Sequence, residues 1–375
     1  MNRFLIACGG TGGHLAPGIA LAEELTSRGH ACTLLISTKQ IDSRLCEKYA
    51  HLDFRRMPGA GFSIHPLRFA RFVASQARAA AFARHTISSV RPEFVIGFGG
   101  FTTAAVAVAA WIAGVPVALH EANRVPGRAI KLVGSIARRV YLPSGVQRPG
   151  LGSAVIRHCG MPVRRELTRQ SRVRACVELG LDPDRKVLVV LGGSQGARAL
   201  NEWAAAALHA LAHEGVQLVC VTGPGNRPPE TVEQRSGDGG IVRAIFLPFC
   251  DDMATLLSCA TLVVSRAGTG TIAELIRMHV PALLVPYPHA ADNHQEANAR
   301  FFEKQGGGFT VDQGFIGDLT REAIEVIRNG WLLQQFAGNL QRLDRSDPLD
   351  SIAADLERML REPVTNGGLS PAFFR

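Results

Sequence analysis

The sequence predicts an α/β protein built from two doubly wound domains, each with a mostly parallel sheet that carries helices on both faces. Three observations support this prediction. First, short apolar, β-rich runs alternate with helical patterns along most of the chain. Second, a glycine-rich turn at Gly9 to His14 is matched by another at Gly192 to Ala197, about half a chain later. Third, 375 residues are more than one typical core requires.

The first glycine turn lies between a predicted strand, Arg3 to Cys8, and a predicted helix that ends at Gly29. Backbone N–H groups at the start of such a helix have no partner within it, and the helix dipole favours an anion there. The turn therefore predicts a phosphate-binding site, and the second turn predicts another.

The β-rich runs indicate five strands in each half of the chain. They are Arg3 to Cys8, Ala31 to Ser37, Phe94 to Phe98, Pro116 to His120 and Arg139 to Leu142, then Val187 to Leu191, Leu218 to Thr222, Arg243 to Leu247, Thr261 to Ser265 and Ala282 to Val285. We expect a first domain at residues 1–163 and a second at 164–340, joined near Gly160 to Arg164. Helical residues at about 340–362 are expected to pack back on the first domain, and residues 363–375 to form a mobile tail.

The net charge of +9 is unevenly distributed. Residues 1–165 hold 21 Lys and Arg against 7 Asp and Glu, a balance of +14, whereas residues 166–375 hold 20 against 25, a balance of −5. Between Asp53 and Glu93 there is no acidic residue, and arginines are mixed with apolar side chains. This pattern is typical of a segment that docks on an anionic membrane surface, and equally of an amphipathic helix with a solvated arginine face.

The uncharged segment Phe94 to Leu119 is long enough to suggest a membrane span. The glycines inside it instead predict a strand, a loop, a small helix and a strand. No signal peptide precedes the first strand, so we do not expect export. The eight scattered cysteines include no C-x-x-C pair, which indicates reduced thiols rather than a metal site or a disulfide framework.

Two common classes of nucleotide-binding enzyme are disfavoured. Gly10 and Gly12 match the start of the dinucleotide motif G-x-G-x-x-G, but Leu15 stands at the third glycine. The acidic residue of that motif is also missing, since the second predicted strand ends in Ser37 and Thr38. The phosphate-binding motif G-x-x-x-x-G-K-[ST] is absent from the sequence.

The stretch Ser265 to Glu274 follows a predicted strand and begins a helix. Thr269 to Thr271 would present N–H groups and hydroxyls to a phosphate, and Glu274 is placed to accept hydrogen bonds from a ribose. The alternative is a capping box, in which a Thr caps the helix and the Glu three residues later bonds back. The neighbouring Arg266 and the glycines favour ligand binding.

Two further polar stretches allow two interpretations each. Asp292 to Ala299 is dense in amide and imidazole groups, which suits sugar hydroxyls or the start of a polar helix. Asp251 and Asp252 precede an apolar helical run, and we interpret them as an N-cap pair rather than as metal ligands.

Seven motifs occur in order over about residues 1–360, and together they resemble the MurG family of glycosyltransferase family 28. They are Gly9 to His14, Gly97 to Phe101, His120 to Asn123, Pro162 to Arg164, Gly192 to Ala197, Arg266 to Gly268 with Thr271 and Glu274, and Asn293 to Gln295.

This resemblance implies a GT-B fold, with two domains facing each other across a cleft. It implies inverting, metal-independent transfer of N-acetylglucosamine from UDP-N-acetylglucosamine to undecaprenyl-diphosphate-linked N-acetylmuramyl pentapeptide in peptidoglycan synthesis, with no cofactor. The expected partners are these two substrates, the anionic cytoplasmic face of the inner membrane and other cell-wall synthesis proteins, but no nucleic acid.

Matching positions imply three groups of site residues. The donor would contact Thr11, Gly12, Gly13, Asn123, Arg164, Ser194, Cys250, Thr269, Gly270, Thr271, Ile272, Ala273, Glu274 and Gln295. The acceptor diphosphate would lie against Gly10, Gly13, Gly97, Gly99 and Gly100. A lipid acceptor also favours membrane docking through Leu67, Arg68, Phe69, Arg71, Phe72 and Trp111.

The transfer needs a base for the acceptor hydroxyl and positive charge for the leaving group. His14 has a suitable intrinsic pKa for the base, although a capping or phosphate-positioning role is the alternative. Helix N-termini and Arg164 would stabilise the leaving diphosphate. Two other classes remain open, namely another GT-B nucleotide-sugar transferase or epimerase, and a noncatalytic protein that binds a lipid diphosphate.

Overall fold

The computed structural model describes residues 1–9, 12–37, 46–58, 66–146 and 154–362. For residues 12, 66–74, 76, 101, 102, 128 and 129, the description covers the backbone alone. Gly10, Thr11 and the tail expected at 363–375 therefore lie outside the described residues. The chain divides into two compact units: unit 1 comprises Met1–Arg164 with Ser346–Arg375, and unit 2 comprises Arg165–Arg345.

Unit 1 contains a seven-stranded parallel sheet with the order β3-β2-β1-β4-β5-β6-β7. Its strands are β1 Arg3–Ala7, β2 Ala31–Ile36, β3 Asp53–Arg56, β4 Phe94–Gly97, β5 Val117–His120, β6 Arg139–Leu142 and β7 Val155–His158. Its helices are α1 Gly12–Ser27, α2 Pro66–Val90, α3 Gly100–Ile112, α4 Arg128–Val133 and, near the end of the chain, α12 Pro348–Arg361.

Helices bury both faces of this sheet, because side chains that alternate along each strand pack against different helices. On one face, Phe4 and Ile6 pack in a cluster with α1 and α12. On the other face, Leu5 and Ala7 pack in a cluster with α2, α3 and α4.

Helix α12 is held on unit 1 by its apolar face and by polar contacts with the residues that follow α1. Arg28 donates to Asp350 at 2.6 Å and also contacts Glu357, and His30 lies 3.0 Å from Glu357. Asp347 caps the helix by accepting the N–H of Leu349 at 2.9 Å. The last described helix therefore completes the core of the unit in which the chain begins.

Unit 2 contains a second seven-stranded sheet with the order β10-β11-β9-β8-β12-β13-β14. Only the pairing of β10 with β11 is antiparallel among its described strands. The strands are β8 Val187–Leu191, β9 Gln217–Val221, β10 Glu230–Arg235, β11 Ile241–Leu247, β12 Leu262–Ser265, β13 Ala282–Leu284 and β14 Gly308–Thr310. The helices are α5 Arg172–Glu178, α6 Arg198–His213, α7 Met253–Cys259, α8 Thr269–Met278, α9 His294–Lys304, α10 Leu319–Arg328 and α11 Gly330–Leu343.

The prediction of two doubly wound α/β domains is confirmed. The ten predicted strands are present, with ends that match or differ by at most two residues, while β3, β7, β10 and β14 were missed. The strand order reverses next to β1 and β4 in unit 1 and next to β8 and β12 in unit 2. Ligands of doubly wound sheets bind at this point, beyond the carboxyl ends of the strands.

No helix within the described part of the chain combines the length and apolar character needed to cross a bilayer. Phe94 to Leu119 instead forms β4, α3 and β5, as the glycines in that segment predicted.

Replacing Ile352 by Ala is expected to destabilise unit 1. Its side chain is fully buried where α12 meets the sheet, so the change should lower the free energy of unfolding by about 2–5 kcal/mol. Hydrogen exchange of the β1 and β4 amides measures this effect for unit 1 specifically. Ile112→Ala, at a side chain that is 64% exposed, is the control. Equal effects of the two changes would contradict the proposed docking of α12.

Candidate active site

Two glycine turns of unit 1 lie side by side, because β1 and β4 are hydrogen-bonded neighbours. Gly99 and Gly100 have φ values of +97° and +79°, which favour glycine. A Cβ added at Gly99 would lie 3.1 Å from Nε2 of His14, so the half-buried imidazole packs over the second turn. The predicted residues that the structure brings together here are Gly13, His14, Gly97, Gly99 and Gly100.

Thr103, in the first turn of α3, holds the second glycine turn in place through hydrogen bonds to Gly99. Its hydroxyl donates to the carbonyl oxygen of Gly99 at 2.6 Å and accepts the N–H of the same residue at 3.1 Å. A Cβ at Gly97 would lie 2.3 Å from the Thr103 methyl, so glycine is needed there. No side chain caps α3 at Gly99, and a helix N-terminus of this kind favours an anion.

The loop after β5 is organised by a buried carboxylate. Glu121 is 7% exposed and accepts the N–H of Asn123 at 2.9 Å, the side-chain amide of Asn123 at 2.8 Å and the N–H of Gly127 at 2.7 Å. This arrangement fixes the amide of Asn123, a predicted donor-site residue.

Arg164 and His120 belong to the same part of unit 1. Arg164 is 9% exposed and donates to the hydroxyl of Tyr49 at 3.2 Å. His120 lies 3.1 Å from the carbonyl oxygen of Gly160, and burial lowers the pKa of His120 to about 4. This imidazole is therefore neutral at pH 7.

The corresponding turn of unit 2 follows β8 and precedes α6. Gly193 and Gly196 have φ values of +81° and +77°, and a Cβ at Gly196 would lie 2.0 Å from the carbonyl oxygen of Thr222. The side chain of Asn226 joins the turn to the end of β9, because it donates to the carbonyl oxygens of Gln195 at 3.2 Å and Thr222 at 2.8 Å. Ser194 is exposed on this turn.

Cys250 and Asp252 follow β11. Asp252 caps α7 by accepting the N–H of Thr255 at 2.9 Å and its hydroxyl at 2.7 Å. The predicted N-cap role is thus confirmed for Asp252. Cys250 is half-buried, and its thiol lies 3.3 Å from the carbonyl oxygen of Asp252.

Helix α8 begins at Thr269, with Gly268 at the N-cap and no capping side chain. The capping-box alternative is therefore wrong, because neither threonine occupies the cap. The residues from Thr269 to Glu274 form the first turns of the helix and are half-buried, apart from the buried Ile272. This N-terminus lies beyond the carboxyl end of β12, where an anion is favoured.

The guanidinium of Arg266 is buried and forms hydrogen bonds within unit 2. It is 8% exposed and donates to the carbonyl oxygens of Val285 at 3.0 Å and Pro286 at 3.2 Å, and to the side chain of Gln313 at 2.5 Å. The sequence had suggested that this arginine marks ligand binding. In the structure, its hydrogen bonds join the β12–α8 loop to the segment after β13.

Two amide side chains of α9 also bond to the segments on either side of this connection, the β12–α8 loop and the segment after β13. Asn298 is 2% exposed and donates to the carbonyl oxygen of Ala267 at 3.2 Å. Gln295 accepts the N–H of Tyr287 at 2.9 Å. The preceding Asp292 and Asn293 both have positive φ values, which form the sharp turn into α9. Gln295 is thereby fixed next to the loop that begins α8.

The predicted donor residues are divided between the two units. Thr11, which lies outside the described residues, falls in the range of unit 1 with Gly12, Gly13, Asn123 and Arg164, and the others belong to unit 2. In unit 2, they follow the carboxyl ends of four parallel strands, β8, β11, β12 and β13. Cys250 lies further along that edge, since β9 separates β11 from β8.

The predicted membrane residues Leu67, Arg68, Phe69, Arg71 and Phe72 fall in the first turns of α2, where only the backbone is described. Trp111 is half-buried near the end of α3.

Three residues with evident positioning roles were not among the predicted site residues, namely Tyr49, Thr103 and Glu121. Glu121 could have been found, because it lies inside the motif His120 to Asn123 and is acidic in a strongly basic half. No sequence signal links Tyr49 to Arg164, 115 residues away.

His120→Gln is expected to reduce the acid sensitivity of the protein. The folded-state pKa of about 4 lies below the ordinary value of 6.5, so the unfolded chain binds the proton more readily. The stability that neutral His120 provides is complete above pH 6.5 and falls as the pH drops toward 4, by up to about 3 kcal/mol.

Gln keeps a donor for Gly160 but does not titrate, so urea unfolding between pH 7 and pH 4 should show a smaller loss of stability for the variant. His213→Gln, at an exposed histidine, is the control. An unchanged pH dependence in His120→Gln would refute this role.

Two family descriptions match the chain. The glycosyltransferase family 28 N-terminal domain matches residues 4–142, and the C-terminal domain of the same family matches residues 187–329. The first match covers strands β1 to β6 of unit 1, and the second covers strands β8 to β14 of unit 2.

Curated relatives match over nearly the whole chain. A protein of Opitutus terrae is 54% identical over 98% of this chain and 97% of its own length. A protein of Acidovorax sp. is 34% identical over 95% of this chain and 87% of its own length. Both are named UDP-N-acetylglucosamine--N-acetylmuramyl-(pentapeptide) pyrophosphoryl-undecaprenol N-acetylglucosamine transferase.

Solved structures share the fold. MurG of Acinetobacter baumannii has a TM-score of 0.69 at 22% identity, covering 95% of this chain and 99% of that chain. S. aureus MnaA with UDP has a TM-score of 0.66 at 13% identity, covering 96% and 97%. With two Rossmann-like units, the fold class is GT-B. The full-length similarity to the curated relatives and the two matched domains establish that the chain belongs to glycosyltransferase family 28.

Proposed function

We propose that this chain transfers N-acetylglucosamine from UDP-N-acetylglucosamine to undecaprenyl-diphosphate-linked N-acetylmuramyl pentapeptide, with inversion at the anomeric carbon. The observation that carries this proposal is the 54% identity, over nearly the whole chain, to a relative whose name states this activity. The site geometry supports it, because each unit has helix N-termini suited to a diphosphate at the reversal point of its sheet.

Unit 2 is proposed to bind the nucleotide sugar. The N-terminus of α8 offers N–H groups and the hydroxyls of Thr269 and Thr271 to the diphosphate, and Glu274 accepts hydrogen bonds from the ribose. Gln295 would contact the sugar, held by its bond to the Tyr287 N–H. Ser194 and Cys250 would complete the nucleotide site from the turns after β8 and β11.

Unit 1 is proposed to bind the acceptor. The turns after β1 and β4 lie together and precede α1 and α3, so both helix dipoles favour the acceptor diphosphate there. Gly10 would join Gly13, Gly97, Gly99 and Gly100 in this contact. The absence of side chains at these positions would let an anion approach the backbone closely.

His14 is proposed as the base that removes the proton of the acceptor hydroxyl. Its imidazole packs over the turn that begins α3, at the proposed diphosphate site. The leaving UDP develops negative charge, which the α8 N-terminus and Arg164 would stabilise without a metal ion. Tyr49 would orient that arginine, and Gly12, Gly13, Thr11 and Asn123 would add contacts to the donor.

His14→Ala should lower kcat by about 100-fold or more, because general-base catalysis contributes this much to a proton transfer. The assay is transfer of labelled N-acetylglucosamine to a short-chain lipid acceptor, and His213→Ala is the matched control. A raised KM with an unchanged kcat would assign His14 to binding. No transfer by the native chain, with hydrolysis or epimerisation of the donor instead, would indicate a different activity of the fold.

The chain is also proposed to associate peripherally with the cytoplasmic face of the inner membrane, where other cell-wall synthesis proteins would be available as partners. Helices α3 and α4 contact each other and expose large aliphatic side chains. Ile112 is 64% exposed and Leu132 is 72% exposed, next to the exposed Lys131. Together with Trp111 and the basic, apolar start of α2, these residues would suit an anionic bilayer.

Replacing Arg68, Arg71 and Arg78 by Ala should reduce recovery with anionic liposomes in a flotation assay, since each basic residue contributes about 1 kcal/mol near such a surface. A triple variant at the exposed Arg235, Arg321 and Arg328 of unit 2 removes the same charge elsewhere and should float like the native chain. Neutral liposomes test the apolar contribution. Equal recovery of the two triple variants would argue against this docking surface.

A further inference from the structure

A cavity of about 380 Å³ lies in unit 1 between α12 and strands β6 and β7. Strand β7 is at the edge of the sheet, where α12 covers it incompletely. The cavity is separate from the glycine turns and from all the residues proposed for transfer. The lining residues that matter here are Tyr141, Arg157, Cys159, Ile352, Asp355 and Arg358.

One buried carboxylate organises the polar side of this cavity. Asp355 is 8% exposed, lies 2.7 Å from Nε of Arg139 and accepts the hydroxyl of Tyr141 at 3.0 Å. Arg358 donates to the same carboxylate, and Nε of Arg157 lies 4.0 Å from it. Three guanidinium groups therefore lie within 4.0 Å of the Asp355 carboxylate.

These charges do not balance. Three arginines face one aspartate, which leaves a surplus of two positive charges. Glu362 lies 3.8 Å from Arg358, but it also pairs with Arg138 at 3.5 Å, so this second pair adds no net charge. Positive charge in a cavity with apolar walls attracts anions strongly. A surplus of two matches a dianion.

Arg157 and Arg358 are available to such a ligand. Their side chains are each 52% exposed, whereas Arg139 is 6% exposed and committed to Asp355. A guanidinium has five N–H donors in a planar fork that fits phosphate oxygens, so a contact with Asp355 leaves further donors on each arginine.

The remaining wall is suited to an organic group. Ala354 is exposed and Cys159 is half-buried on this wall, with the buried Ile352 and Tyr141 behind them. Burial raises the pKa of Cys159 to about 12, which keeps this thiol neutral. The volume falls in the range of small-molecule sites and exceeds what a bare phosphate ion fills.

We propose that this cavity is a second ligand site, which binds a small phosphate monoester with a compact apolar or aromatic body. Arg157 and Arg358 hold the phosphate at the mouth, and the body packs on the exposed Ala354 and the half-buried Cys159.

Isothermal titration calorimetry with phenyl phosphate tests this site in the full chain, at constant ionic strength and with excess UDP present to occupy a nucleotide site. Saturable binding of one equivalent is expected. Arg157→Gln and Arg358→Gln should each weaken it by about tenfold or more, the effect of one charge-assisted hydrogen bond. Arg321→Gln, at an arginine of unit 2 that is 68% exposed, is the matched control and should bind like the native chain.

Ala354→Trp provides an independent test, because it fills the cavity from an exposed position of α12 without changing any charge. This variant should lose phenyl phosphate binding while its circular dichroism spectrum stays native. The proposal is overturned if the native chain shows no saturable binding, if the arginine variants bind as tightly as the native chain, or if Ala354→Trp binds unchanged.

Discussion

Close approach of one backbone segment to another, at the ends of the central strands, is the constraint on which the rest of this structure depends. A Cβ at Gly9 would lie 2.4 Å from the backbone nitrogen of Ser37, and one at Gly196 would lie 2.0 Å from the carbonyl oxygen of Thr222. A side chain cannot fit at either place. Because glycine permits these contacts, each chain segment can turn directly from strand to helix, and the helix N-terminus is left facing outward over the sheet. The proposed anion sites follow from this packing requirement.

Most of the fold could be predicted from the sequence, and the strands that were missed have a common physical explanation. All four, β3, β7, β10 and β14, are edge strands of the two sheets. A central parallel strand is covered on both faces and appears as a continuous apolar run. An edge strand is partly exposed, and β10, with the sequence ETVEQR, has one large apolar side chain in six residues. Hydrophobic periodicity therefore detects the centre of a sheet better than its margins.

The candidate site was predictable where its parts are local in the sequence and unpredictable where they are not. A glycine turn before a helix is a local pattern, so the turns at Gly9, Gly97 and Gly192 were found. The direction of the Arg266 side chain depends on carbonyl groups of Val285 and Pro286, which only the folded chain brings near. The pairing of Arg164 with Tyr49 is of the same kind. Residue type thus indicated where polar chemistry is concentrated, and tertiary contacts decided which groups face a ligand.

The return of α12 to unit 1 makes the two units topologically unequal. Unit 2 is one continuous stretch, Arg165–Arg345, inserted between the two segments that form unit 1. During synthesis, unit 2 can emerge and fold before the last helix of unit 1 has left the ribosome. Until then, the apolar face of the first sheet that Leu349, Ile352 and Leu356 cover lacks its final layer. The half of the protein that is made first is therefore the half that is finished last, and a nascent chain that stops before α12 exposes an aggregation-prone surface.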